Sequence, residues 1–173
     1  TDESKELHNN KVLKLAKNRK GIAQNEAEAG DYYKNSIDCF AEIYDCDNNY
    51  LWIEAQIAKK IKESDFKRLT GYGFDVICQW IRSCASRYNR NISYNKQYDK
   101  IFDSEEFEEN FEYSIFYYLE EYLGNYQLNS IGDLTRISSW GIVQDDNGEE
   151  RAVIIDSGLS DDVWDNYYKP HRY

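Results

Sequence analysis

The sequence predicts an α+β domain of two unequal lobes, and three observations carry that reading. The first is Lys11-Val12-Leu13-Lys14-Leu15-Ala16, where basic and apolar side chains alternate as on a half-buried strand. The second is a pair of apolar stripes at helical spacing, one within Phe74 to Tyr88 and one from Phe107 to Leu123. The third is Trp140 to Leu159, WGIVQDDNGEERAVIIDSGL, in which two apolar runs flank Asp145-Asp146-Asn147-Gly148. Asn-Gly between strand-like runs predicts a hairpin, because both residues tolerate positive φ.

Taken in order, residues 1–10 form a polar leader, TDESKELHNN. The strand around Lys14 follows, with Val12, Lys14 and Ala16 on one face and Leu13 and Leu15 on the other. Asn18 to Gly21 reads as a turn, and Ile22 to Ile37 as a helix weakened at Gly30. Two strands are expected at Cys39 to Tyr44 and Tyr50 to Ile57, separated by the turn cluster Asp45-Cys46-Asp47-Asn48-Asn49. Lys59 to Lys62 reads as a connector, and Ser64-Asp65 as a helix N-cap. Phe74 to Tyr88 carries Val76, Ile77, Trp80, Ile81, Cys84 and Tyr88 on one helical face. Residues 89–102, rich in asparagine and tyrosine, read as loop. Asp103-Ser104-Glu105-Glu106 then suits a capping box opening the longest helix, with Phe107, Phe111, Ile115, Leu119 and Leu123 as its core stripe and Gly124 as its cap. These segments divide the chain into the leader, a β-rich N-terminal lobe at 11–57 and a mostly helical lobe at 58–173.

Composition narrows the function. The 173 residues include 32 acidic and 21 basic side chains, a net charge of −11. Direct nucleic-acid binding needs clustered positive charge and is not expected. Sixteen tyrosines are too many for a disordered chain. No apolar run is long enough to span a membrane, and the leader does not resemble a signal peptide, so a cytoplasmic protein is expected. Cys39, Cys46, Cys78 and Cys84 lack metal-ligand spacing and read as reduced thiols, while His8 and His171 lie near the chain ends, unsuited to a buried triad.

Two aspartates bracket the hairpin. Asp133 precedes its first strand in Ile131-Gly132-Asp133-Leu134, and Asp156 ends its second in Ile155-Asp156-Ser157-Gly158. As turn and strand-end residues they need no further role; converging on one cleft, they would make an oxygen-ligand site. A strand lysine, Lys14, could in turn pair with Glu26 or Glu28 on the following helix.

In order and interval these motifs resemble the protein-kinase-like fold. VLKLAKN resembles the strand bearing the nucleotide-binding lysine, here Lys14, and GIAQNEAE the helix with its paired glutamate, here Glu26 or Glu28. FAEIYDCDNNYLWIEAQIA resembles the two strands leading to the hinge, roughly Glu54 to Ile57. LKLAKNRKGIAQNEAE together with SSWGIVQDDNGEERAVIIDSGLSDDVW is similar to small kinase-like proteins of tailed bacteriophages, a resemblance covering about residues 11–165. It implies a reduced two-lobed fold binding ATP and Mg²⁺. Asp133 would be the catalytic aspartate, Asp156 a metal ligand on the hairpin, and Ser138 would hold the position of the second metal ligand.

The pattern also departs from that family. Ser138 stands where the family has asparagine, and Ile131 where histidine is usual. No glycine-rich loop precedes Lys14, and fifteen residues follow Gly158. The expectation is therefore a degenerate kinase serving as an interaction or inhibitor module on a host or viral protein, in the host cytoplasm or associated with the virion. An active Mg-ATP-dependent phosphotransferase is the first alternative. The second is an acidic nucleic-acid mimic built on the carboxylates of residues 105–121.

Overall fold

The computed structural model describes residues 11–30, 37–125, 131–145 and 147–169, so the polar leader lies outside the described residues. The architecture is α+β, with two three-stranded antiparallel sheets and eight α-helices among those residues.

The first sheet joins β1 (Lys11–Leu15), β2 (Ile43–Cys46) and β3 (Trp52–Gln56) in the order β1-β3-β2. Register sets Val12 against Ala55 and Lys14 against Ile53, a face on which Ile53 and Ala55 are buried, Lys14 is half-buried and Val12 stays exposed. Leu13 and Leu15, on the outer face, remain 56% and 64% exposed. Helix α1 (Arg19–Ala29) packs against β3. It starts three residues earlier than the spacing predicts, because the Asn18 side chain accepts the Gly21 amide at 3.0 Å and serves as N-cap. Its end at Gly30 agrees with the predicted weak point; residues 31–36 of the expected helix lie outside the described residues.

The strand expected at Cys39 to Tyr44 is displaced. Cys39 and Phe40 instead bond the far hairpin, with the Ile154 amide donating to Cys39 O at 2.8 Å and the Ala41 amide to Ile154 O at 2.9 Å. The following turn shifts with it, because the Asp47 carboxylate gathers the amides of Asn49 and Leu51 at 2.9 and 3.2 Å.

The second sheet runs β4-β5-β6: β4 (Lys59–Lys60), β5 (Trp140–Gln144) and β6 (Glu150–Ile154). The predicted connector at Lys59 thus contributes a strand. The hairpin is present, closed by Asp145, whose carboxylate accepts the Asn147 and Glu149 amides at 2.9 and 2.8 Å, with Gly148 at φ 82°.

Helices α2 (Glu63–Thr70) and α3 (Phe74–Ser86) follow β4. The first begins at Glu63 rather than at a Ser64 cap, with the Lys62 amide donating to Asp65 at 2.9 Å. The second buries Val76, Ile77, Trp80, Ile81 and Cys84, as its spacing predicts. Residues 96–102 form a 3₁₀ turn and α4 (Asp99–Phe102) within the expected loop.

The predicted long helix is two helices, α5 (Glu105–Glu109) and α6 (Ile115–Asn125). Ser104 caps the first, accepting the Phe107 amide at 3.2 Å. Tyr113, with φ at 62°, breaks the helical path, and Ser114 restarts it by taking the Tyr117 amide at 3.4 Å. The break lets Phe107, Phe111 and Phe116 surround the Trp80 ring at 5.3, 5.6 and 6.1 Å, which a straight stripe could not do. Gly124 lies inside α6 rather than capping it.

Two short pieces complete the chain, α7 (Ile131–Leu134) before the hairpin and α8 (Asp161–Tyr167) after it. Trp140 ties α7 to the core by donating its indole N–H to Leu134 O at 2.8 Å while its ring meets Phe66 edge-on. Among the described residues no helix is long and apolar enough to cross a membrane.

Candidate functional site

Residues two apart on a helix point about 200° from each other, so Glu26 and Glu28 cannot both face the sheet. The structure selects Glu28. It is buried, and its Oε2 accepts from Lys14 Nζ at 2.6 Å; Glu26 is exposed. Because β1 alternates, Lys14 reaches the interior from an edge strand. Its ammonium also donates to Ile155 O at 2.7 Å, the carbonyl immediately before Asp156. One lysine thereby ties the first sheet, helix α1 and the end of the hairpin together.

Gly158 makes this junction possible. A Cβ there would lie 2.9 Å from Gln24 O and 3.1 Å from Glu28 Oε1, too close for any side chain. The segment after β6 is thus pressed against α1 beside the ion pair. The C-cap residue of helix α8 (Asp161–Tyr167) also meets α1: Gln24 donates to the Tyr168 hydroxyl at 3.2 Å, and Lys20 lies 4.0 Å over the Tyr168 ring.

Asp133 is held by the fold of α7. Thr135 returns both its amide and its hydroxyl to Ile131 O, at 3.0 and 2.8 Å, and the flanking Ile131 and Leu134 are buried. The carboxylate is itself buried, with Arg136 Nη1 at 3.3 Å. Burial raises its pKa, the charge of Asp156 raises it further, and Arg136 only partly opposes both. Asp133 is buried and Asp156 exposed, and the Asp156 charge lies close enough to act on the Asp133 carboxylate. Ser138 is exposed on the 3₁₀ turn between them; the next residue, Ser139, accepts the Ile155 amide at 2.8 Å.

Glu54 is placed elsewhere. It sits on the outer face of β3, paired with Lys11 at 3.2 Å, because register sets it opposite Leu13 rather than Lys14. The residues just after it, Gln56, Ile57 and Ala58, line a cavity of about 240 Å³ together with Val12, Lys14, Glu28, Phe40, Ile155 and Ser157. The cavity is apolar along most of its wall and charged at the Lys14 end. The sequence singles out Asp156-Ser157-Gly158 for its carboxylate and its glycine but assigns nothing to Ser157, whose position next to the carboxylate is the available signal.

The donor set is all oxygen, which suits Mg²⁺ more than a transition metal. Among the described residues no three His, Cys, Asp or Glu groups converge into a ready-made cage. Asp156 would hold such an ion together with substrate phosphates, the usual arrangement for magnesium. Three of the four thiols are held in the unreactive protonated form. Burial pushes Cys78 up to about 11 and Cys84 up to about 12, and raises Cys39 as well, so all three stay protonated at neutral pH.

No protein-family model matches this chain, and no curated protein or solved structure matches it either.

Proposed function

We propose that the chain is a reduced kinase-like domain whose cleft binds a magnesium nucleoside triphosphate. In this reading residues 11–57 act as the smaller lobe and the helical remainder as the larger. The observation that carries it is the Lys14–Glu28 pair, at 2.6 Å, set one carbonyl away from Asp156. A lysine held by one carboxylate and one carbonyl keeps a third N–H for a phosphate oxygen. The apolar cavity beside it has the size and lining for a base.

The chain's own groups then divide the work. Lys14 orients the phosphates, Glu28 orients Lys14, and the apolar wall excludes water. Asp133, desolvated and with a raised pKa, is suited to take up the proton of an acceptor hydroxyl. Bound magnesium, on Asp156 and the phosphates, would supply charge neutralisation. The contribution is positioning and electrostatics throughout, which is why lysine and carboxylates dominate the site.

A second reading, in which the nucleotide is bound but not turned over and the domain serves as an interaction or inhibitor module on a host or viral protein, is favoured by Ser138. It offers an exposed hydroxyl where an amide ligand is expected. Nucleic-acid mimicry loses its continuous helical face at the break between α5 and α6.

Thermal unfolding with and without millimolar Mg-ATP tests the binding claim. The wild type should be stabilised by several degrees, and Lys14→Ala and Asp156→Ala should not. A wild type indifferent to Mg-ATP overturns the proposal. Label transfer from γ-labelled ATP, abolished by Asp133→Asn, then separates the transferase from the non-catalytic module.

A further inference from the structure

The polar residues lining the cavity are Lys14, Glu28, Gln56 and Ser157. Lys14 and Glu28 hold each other, and Gln56 Oε1 accepts the Glu42 amide at 3.4 Å. Ser157 is 7% exposed, and among the described residues its hydroxyl has no hydrogen-bond partner. A buried hydroxyl without a partner costs free energy, and such groups call for an explanation. The position of Ser157 supplies one. Ile155, two residues before it, gives its carbonyl to Lys14, and Gly158, the next residue, is packed against Glu28. Ser157 is therefore flanked by residues packed against the two ends of the ion pair, and it lines the cavity that Lys14 and Glu28 also line.

We infer that Ser157 is a ligand-binding residue whose hydroxyl donates a hydrogen bond to a phosphate oxygen of the nucleotide that Lys14 holds. This rests on the nucleotide reading above and extends it to a specific discriminating contact. A serine hydroxyl rotates freely, so it can turn to an anion without moving the backbone. In a desolvated pocket a bond from a neutral donor to a charged oxygen is among the stronger ones. Ser157 would thus favour phosphorylated nucleosides over the bare nucleoside, which the apolar wall alone does not distinguish.

Calorimetric titration of the full chain with Mg-ATP and with adenosine, for wild type and Ser157→Ala, tests this. The substitution should weaken Mg-ATP binding about ten-fold or more and leave adenosine binding unchanged. Without ligand, Ser157→Ala should melt no lower than wild type, since the hydroxyl it removes has no partner to lose. Unchanged Mg-ATP affinity in Ser157→Ala, or an equal loss for adenosine, overturns the phosphate contact while leaving the nucleotide reading intact. A ligand-free variant melting several degrees lower assigns the hydroxyl to the fold and overturns the inference. A wild type that binds neither probe overturns the nucleotide reading and this inference with it.

Discussion

The first sheet with α1 and the helical body are built on different physics. The body is an aromatic core in which Phe66 meets Trp140, and Phe116 meets both Trp80 and Phe107, edge to face, and both indole N–H groups are bonded to backbone carbonyls. The first sheet buries few side chains, chiefly Ile53 and Ala55, and leaves Leu13 and Leu15 largely in solvent. It is held to the body by polar links, Lys14 to Ile155 and the backbone bonds of Cys39 and Ala41 to Ile154. The candidate site lies along that seam. Stability resides mainly in one region, and the proposed nucleotide binding depends on how the other is docked to it.

The sharpest contrast comes from one substitution in each region. Trp140→Ala should cost roughly 3–5 kcal/mol, since it leaves a cavity and an orphaned Leu134 carbonyl. Leu13→Ser, on the exposed face, should stay within about 0.5 kcal/mol of wild type. Urea unfolding at neutral pH measures both, and similar losses would dissolve the distinction. Gly158→Val is intermediate. Its side chain cannot fit beside Gln24 O, so it should cost about 1–3 kcal/mol. More tellingly, pushing α1 away should separate Lys14 from Glu28. Loss of Mg-ATP stabilisation greater than the loss of stability would place the effect on docking; equal Mg-ATP response in the variant would break that link.

Asp133 should give the smallest effect, with the opposite sign. Its raised pKa means that the folded chain holds a proton more tightly there than the unfolded chain does. Its contribution to stability is present at low pH and is lost as pH rises through the raised value. Asp133→Asn should therefore be as stable as wild type or more so at pH 7, with the gain fading near about pH 4, the ordinary carboxylate range. Urea midpoints at the two pH values decide it; a variant destabilised at both would mean that the carboxylate serves the turn.

Much of the body was legible because its signals are periodic. The α3 face, the hairpin and the apolar identity of Phe107, Leu119 and Leu123 follow directly from spacing. What spacing missed was decided by single side chains competing for backbone amides. Asn18 starts α1 early, Asp47 moves a turn, and Ser114 restarts the helix that Tyr113 breaks. In the site, sequence brought forward Lys14, Glu28, Asp133 and Asp156 but left Glu26 and Glu28 as equals. The choice depends on which way α1 faces the sheet. Glu54 was drawn into the site by proximity to the expected hinge, although strand alternation directs it to the opposite face. Ser157 carried no periodic signal at all, because its significance is an absent partner in three dimensions.

Hydrogen exchange of the full chain with and without Mg-ATP tests the central claim most directly, since it reads the two regions separately in one sample. Nucleotide bound in the seam should slow exchange in residues 11–15, 56–60 and 153–158, with α3 and α6 changing little. Unchanged exchange in those segments at saturating Mg-ATP, or protection confined to α5 and α6, would contradict it.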